Sequence, residues 1–182
     1  MQNKAINVIL NDNPFPGLRA FKDSESHLFF GREEHITDVL RKLDTNHFVA
    51  VVGTSGTGKS SLIKAGVLPA ISERAASKDA PKWEVISMNP GSDPIVNLAN
   101  AICKNPSLVG KEGEEGFKSK LVDLMNHSTL GLVQAMRPVL DSNSRLLILV
   151  DQFEEVFRFA GEDELDAKAI YDQFVKLLIE TI

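Results

Sequence analysis

The chain has 182 residues, of which 43% are hydrophobic and 25% charged, with a formal net charge of −5. This length and balance fit one soluble globular domain that can bury a core without disulfides or structural metals. The acidic balance, with no basic run stronger than Arg41-Lys42, argues against a nucleic-acid partner, and no apolar stretch approaches the roughly 18 residues of a membrane span.

One cysteine, Cys103, cannot form an internal disulfide, so a reducing, cytoplasmic setting is expected, with Cys103 a small buried hydrophobe beside Leu98, Ala99 and Ile102. Met1-Gln2-Asn3-Lys4 lacks the charged-then-apolar pattern of a signal peptide, and the four histidines show no metal-ligand spacing.

Residues 1–22 read as irregular, with turn chemistry from Asn11 to Gly17 but with Phe15, Leu18 and Phe21 too apolar for a loose tail; the segment is expected to lie against the domain. A helix is predicted over 32–43, where Ile36, Val39, Leu40 and Leu43 form a stripe and Glu33 and Glu34 suit the positive end of the helix dipole. Phe48 to Val52 reads as a strand buried on both faces. After a glycine-rich turn a helix runs from about Lys59 through Leu62, Ile63 and Val67, ended or kinked by Pro69.

Ala76 to Lys82 reads as a polar loop and Trp83 to Met88 as the second strand; Asn89 to Pro94 is a turn, with Pro94 suited to the first position of a helix. Residues 104–116 read as a mobile loop, followed by helical patterns over 117–126 and 129–140 and a turn at Asp141 to Ser144. Leu146 to Val150 is the third predicted buried strand, and the last helix starts near Glu164 with an apolar face of Leu165, Ala169, Ile170, Phe174, Leu177 and Leu178. The chain stops within that apolar helix without a stop signal, so it reads as a fragment of a longer protein or a truncated gene. Strands alternating with helices imply an α/β fold with a parallel sheet, and three strands are few for one.

Gly53-Thr54-Ser55-Gly56-Thr57-Gly58-Lys59-Ser60 matches G-x-x-x-x-G-K-[ST]. A triphosphate is a dense anion, and several backbone N–H groups must converge on it; glycines permit that curvature and close approach. The following helix adds its positive end, Lys59 reaches β- and γ-phosphate oxygens, and Ser60 places a hydroxyl on Mg²⁺, with Ser61 beside it. Asp151, at the end of the third predicted strand, is the acid that such a site needs for the metal. Glu154 and Glu155 are candidates to orient an attacking water, with Glu155 slightly favoured and Gln152 weaker; at least one glutamate has the plainer reading of a helix start or cap.

These strings, together with Asn13-Pro14-Phe15-Pro16-Gly17-Leu18-Arg19-Ala20-Phe21, Phe29-Phe30-Gly31-Arg32-Glu33 and Asp151-Gln152-Phe153-Glu154-Glu155-Val156-Phe157, resemble the novel group of STAND NTPases, signal-transduction ATPases with numerous domains. The resemblance runs in order from about Asn13 to Arg158. It implies an AAA+-like P-loop fold of parallel strands and flanking helices, incomplete here, and ATP hydrolysis or exchange used as a switch. It implies that Gly31 and Arg32 lie near the nucleotide, in the box that holds the adenine end. It also implies effector and sensor domains as partners. The family continues with a strand bearing a sensor residue and a winged-helix lid, which this chain does not reach.

The expected organisation is an N-terminal segment, 1–31, packed on a P-loop core, 32–182, truncated at its C-terminal end. The expected function is an Mg-ATP-binding core of a signalling switch, exchanging ATP and ADP, with hydrolysis weak or absent in this chain. A stabilising arginine would come from elsewhere, such as a neighbouring protomer of an oligomer. Two readings stay open beside it: a non-catalytic nucleotide-binding scaffold and, less strongly, a small-molecule kinase, for which Arg137, Arg145 and Arg158 form no lid-like cluster. A GTPase is set aside because no Asn-Lys-x-Asp motif occurs.

Overall fold

The structure, a computed structural model, describes residues 17, 19–76, 80–109, 114–159 and 165–182. Its residues divide into two compact units, Met1–Lys78 and Asp79–Ile182.

In the first unit a short 3-10 helix, Asp23–Leu28, precedes α1, Glu33–Thr45. Leu40 is the fully buried residue of the predicted stripe, while Arg41 and Lys42 are exposed and pair with Asp38. The next helix, α2, is continuous but changes winding. It is α-helical over Lys59–Ser61, π-helical over Leu62–Val67 and α-helical again over Leu68–Ala75. Pro69 therefore does not end it. A proline lacks the N–H and crowds the carbonyl four residues back; the wider π turn just before it relieves that crowding. Both α1 and the 3-10 helix pack on the π stretch, where Leu62, Ala65, Gly66 and Val67 are buried.

The expected strand at Phe48 to Val52 is not formed. The run is without regular structure, and Phe48 and Val52 are 65% and 87% exposed. An extended run becomes a strand only when its N–H and C=O groups find another edge, and the remaining described residues of its unit form helices, turns and loops.

In the second unit, β1, Lys82–Met88, pairs in parallel with β2, Ser144–Val150, in the register Glu84↔Leu146, Ile86↔Ile148 and Met88↔Val150. The sheet has two strands among the described residues, not the three expected. The parallel pair requires a crossover, made by α3, Pro94–Cys103, α4, Glu114–His127, and α5, Gly131–Met136. After β2 come α6, Glu155–Phe159, and α7, Leu165–Thr181.

Pro94 opens α3 as expected, and Asp93 caps it by accepting the Val96 N–H at 3.0 Å. On β1 the face carrying Glu84, Ile86 and Met88 is buried, and α3 packs on that strand. Leu98, Ala99 and Ile102 of α3, Leu121 and Met125 of α4, Leu132 of α5, and Phe174 and Leu177 of α7 are fully buried in one cluster, with Cys103 among them as expected. Glu84 is buried with them, hydrogen-bonded to Lys82 Nζ at 2.6 Å and Asn105 Nδ2 at 2.9 Å. Burial alone would raise its pKa; those two donors more than offset that and hold it below the usual carboxylate range.

Three other expectations need correction. Residues 104–116 are not one loose loop: Asn105 caps a 3-10 turn, Pro106–Leu108, whose Leu108 is fully buried, and α4 begins at Glu114. Such a short anchored turn has no periodicity to read. The helix expected over 129–140 stops at Met136, and turns carry the chain past Pro138, which cannot donate to a continuing helix. The expected face of α7 is shifted. Ala169 and Ile170 are exposed, and Tyr171, Phe174 and Leu177 are buried, because the i, i+3, i+6 stripe that meets α3, α4 and α5 starts at the tyrosine. Leu178 is partly buried, whereas Glu164 and the side chain of Leu165 lie outside the described residues, as do Phe15 and Leu18. Among the described residues no helix is long and apolar enough to cross a membrane.

Candidate functional site: a phosphate loop and a strand-end carboxylate

Gly53 to Ser60 forms a tight turn into the N-terminal end of α2. Gly56 and Gly58 both have φ of +81°, a conformation open to glycine and strained for residues with a Cβ. Thr57 closes the loop, its hydroxyl donating to the Thr54 carbonyl at 2.8 Å. A Cβ on Gly53 would stand 3.2 Å from that same Thr57 Oγ1, so the loop is closely wound there too. Lys59 folds back across the loop, and its Nζ donates to the carbonyls of Gly53 at 2.8 Å and Thr54 at 3.0 Å. An ammonium so placed lies over the turn whose glycines and helix end favour an anion. Ser55 is exposed, and Ser60 is half-buried in the first turn of α2.

The box before the loop reaches it directly. Gly31, at φ +78°, donates its N–H to Glu33 Oε1 at 2.9 Å, and Arg32 Nη2 donates to the Thr57 carbonyl at 2.7 Å. The Glu33 carboxylate accepts from its own backbone N–H and that of Gly31, which holds its pKa below the usual range. Arg32 thus reaches the Gly53–Ser60 loop, while Gly31 is bonded to Glu33, whose role the motif did not reveal. Ser61 faces elsewhere: it is buried, and its hydroxyl accepts the Phe21 N–H at 3.2 Å.

In the second unit Asp151 follows the last residue of β2, and its N–H donates to the Met88 carbonyl at 2.9 Å, continuing the ladder. Asp151 Oδ1 accepts the Gln152 N–H at 3.1 Å. Glu154 is exposed just before α6. Glu155 is occupied: its Oε2 accepts the Gly91 N–H at 3.0 Å, its Oε1 lies 3.6 Å from Arg158 Nη2, and its side chain is 15% exposed. The Gly91 carbonyl in turn accepts the Tyr171 hydroxyl at 2.7 Å, and Asn97 Nδ2 donates to Pro90 O at 2.8 Å. Residues 90 and 91, α3, α6 and α7 therefore meet in one hydrogen-bonded knot. Sequence reasoning took 89–94 as a plain turn and did not single out Tyr171. The signal available was a lone tyrosine in an apolar helical stripe, which needs a partner for its hydroxyl. Arg145 lies over the Trp83 ring at 5.5 Å and Arg158 faces Glu155, so neither stands as a lid cation.

A protein-family model, Novel STAND NTPase 1, matches residues 14–182. The chain belongs to that family. No curated protein and no solved structure matches it. Membership makes the chain a STAND-type NTPase domain of α/β build, of a family that binds nucleotide and takes domain partners in larger proteins. In this STAND domain, Gly53 to Ser60 and Arg32 are joined within the first unit, and Asp151 to Glu155 lie within the second.

Proposed function

We propose that this STAND domain is an Mg-ATP-binding switch core, working in the cytoplasm, with Gly53 to Ser60 as the triphosphate cradle. The observation that carries the reading is the loop itself: Gly56 and Gly58 left-handed, helix α2 starting at Lys59, and the Lys59 ammonium within 2.8 Å of the loop carbonyl of Gly53. On binding, Lys59 exchanges those carbonyls for β- and γ-phosphate oxygens, while loop N–H groups and the helix end hold the remaining charge. Arg32, tethered to Thr57, marks the adenine-side wall of the site.

The donor set fits Mg²⁺. That ion takes one or two protein oxygens and completes its shell with phosphate and water, and the Ser60 hydroxyl and Asp151 carboxylate are oxygens of this kind. Among the described residues no group of three or more His, Cys, Asp or Glu residues forms a metal cage of its own. The bound ion would neutralise phosphate charge. Glu154 is the better candidate to orient water, because Glu155 holds Gly91. Turnover by this chain alone is expected to be slow, since phosphoryl transfer depends on all charged parts acting together and an added arginine can be worth about 10³–10⁵ in rate. The engagement of Glu155 in the fold also favours the second reading, a nucleotide-binding scaffold without catalysis. Effector and sensor domains, and any neighbouring protomer, would convert occupancy into a signal.

Titration with labelled ATP tests this. Lys59→Ala should lose about 1.5–3 kcal/mol of binding, the scale of a charge-assisted hydrogen bond, and Asp151→Asn should weaken affinity with Mg²⁺ more than without. Equal affinity of Lys59→Ala and wild type removes the cradle assignment. An equal loss for Asp151→Asn with and without the ion removes the metal role. Phosphate release on the order of 1 s⁻¹ or faster, the ordinary enzyme range, would show a complete ATPase instead.

A further inference from the structure

Arg32 stands at the start of α1, where its carbonyl accepts the Ile36 N–H at 3.0 Å and opens the helix. The residue is half-buried, and its guanidinium donates from Nη2 to the Thr57 carbonyl at 2.7 Å. The same nitrogen would stand 3.7 Å from a Cβ on Gly58. The bond therefore falls on a backbone group inside the Gly53–Ser60 loop, between Thr57 and Gly58. Thr57 is held from its other side as well: its N–H and its hydroxyl donate to the Thr54 carbonyl, at 3.4 and 2.8 Å. Gly58 has φ of +81°, and its carbonyl accepts the Leu62 N–H at 2.8 Å in the first turn of α2. The peptide joining the two residues is trans. In a trans peptide the C=O and the N–H point in opposite directions across one plane. A guanidinium that fixes the Thr57 carbonyl thereby fixes the Gly58 N–H, turned away from Arg32. Bonds at the two ends of one peptide also polarise each other, so a cation on the carbonyl oxygen makes the N–H a stronger donor.

We propose that Arg32 is a positioning residue for the phosphate cradle, holding the Thr57–Gly58 peptide so that the Gly58 N–H donates to a phosphate oxygen of the bound nucleotide. The proposal rests on the cradle reading of Gly53 to Ser60 given above. It gives Arg32 a task in which the base takes no part, beside its place on the adenine side. The effect of removing the guanidinium should accordingly be felt by a ligand that has phosphates and no base, and it should be visible at the Gly58 amide itself.

The test titrates the full chain, wild type and Arg32→Ala, with inorganic tripolyphosphate and with ATP, each in the presence of Mg²⁺. Both ligands should bind Arg32→Ala about ten-fold more weakly, the scale of one charge-assisted hydrogen bond. In protein carrying isotope-labelled glycine, the Gly58 amide proton should move downfield when tripolyphosphate saturates the wild type, as a donor to an anion does, and less than half as far at saturation in Arg32→Ala. A loss for ATP alone, with tripolyphosphate binding unchanged, confines Arg32 to the base and overturns the proposal, as does no loss for either ligand. An equal Gly58 shift in the two saturated proteins makes Arg32 a direct phosphate contact and overturns it too. A wild-type chain that binds neither ligand, or a Lys59→Ala variant that binds both as the wild type does, removes the cradle reading itself; that failure is distinct because it involves no change at Arg32. If alanine unfolds the chain, Arg32→Gln takes its place, since its neutral and shorter side chain gives up the same charge-assisted bond, and the same outcomes apply.

Discussion

The unit that holds the Gly53–Ser60 loop buries little among its described residues. Its buried apolar side chains there are Leu40, Leu62, Ala65, Val67 and Ile71, all from α1 and α2, while Phe30, Phe48 and Val52 stand exposed. The unit that holds Asp151 buries one contiguous cluster from Ile86 to Leu177, drawn from β1, α3, α4, α5, α6 and α7. The two motifs are built to match. The Gly53–Ser60 loop is tied to itself and to Arg32 by exposed hydrogen bonds. Asp151 is the continuation of a strand, and Glu155 beside it is part of the knot around Gly91. Local opening concentrates in the lightly buried part of a fold, and a residue that continues a strand is held with the core.

The comparison breaks most sharply if the second unit tolerates damage that it should not. Phe174 is fully buried in the cluster, and Phe174→Ala should cost about 3–5 kcal/mol. Lys59→Ala, in contrast, should change stability by less than about 1 kcal/mol, since surface changes rarely cost more. Denaturant melts of the two variants check this, and similar losses would dissolve the contrast.

One glycine in each unit sharpens it further. A Cβ on Gly131, at the start of α5, would stand 2.2 Å from the Leu124 carbonyl oxygen of α4, a backbone atom that cannot swing aside. Gly131→Ala should cost about 3 kcal/mol, at the upper end of overpacking. On Gly66 a Cβ would meet Ile36 Cγ1 and Cδ1, each at 2.7 Å, side-chain rather than backbone atoms. There the clash is set against alanine's better helix propensity, worth about 1 kcal/mol, so Gly66→Ala should change stability by less than about 1 kcal/mol. Thermal melts yielding equal losses would show the first unit to be as tightly packed as the second.

Much of this division was legible. The tight glycine turn at 53–60, both strands of the sheet, α1 and the Pro94 helix start follow from residue types whose local preferences and long-range roles agree. What stayed hidden depends on partners that a sequence does not name. Phe48 to Val52 has the composition of a buried strand, and whether it becomes one depends on an edge supplied from outside the run. Pro69 signals a break, and only the packing of α1 on the π stretch of α2 shows how the helix passes through it. Spacing alone favours Glu155 only slightly over Glu154. What it does not reveal is that Glu155 accepts the N–H of Gly91, 64 residues away in the chain.

That separation gives a smaller prediction. Glu155→Gln replaces a charged acceptor of the Gly91 N–H with a neutral one and should cost about 1–2 kcal/mol of stability, near the difference between charged and neutral hydrogen bonds. Glu154→Gln, at an exposed position, should leave stability unchanged and reduce whatever slow turnover the chain has. Melting curves paired with phosphate release check both, and a stability loss confined to Glu154→Gln would reverse the assignment.

The smallest effect is expected at the N-terminal edge of the first unit, where the contact is electrostatic and exposed. Both guanidinium nitrogens of Arg19 donate to Glu25, at 2.7 and 2.5 Å, and the Lys22 N–H donates to the same carboxylate at 2.9 Å. The Arg19 guanidinium first, and the Lys22 N–H second, hold the Glu25 pKa down to about 2. A carboxyl whose folded pKa is depressed stabilises above its ordinary pKa, and that stabilisation is lost as pH falls through the folded value. The segment carrying Phe21, whose N–H rests on Ser61 and whose ring meets Phe29 edge-on at 5.6 Å, should therefore stay docked to near pH 4.5 and loosen as the pH approaches 2. Because the pair is exposed, solvent and salt screen it, and the loosening should be local rather than global. Amide exchange over residues 19–28, followed from pH 5 to pH 2 in wild type and Glu25→Gln, measures it. The glutamine variant should already be loosened at pH 5 and should lack the acid-dependent step. A step of the same size in both proteins would assign the pH response to other carboxylates and leave Arg19 and Glu25 without a docking role.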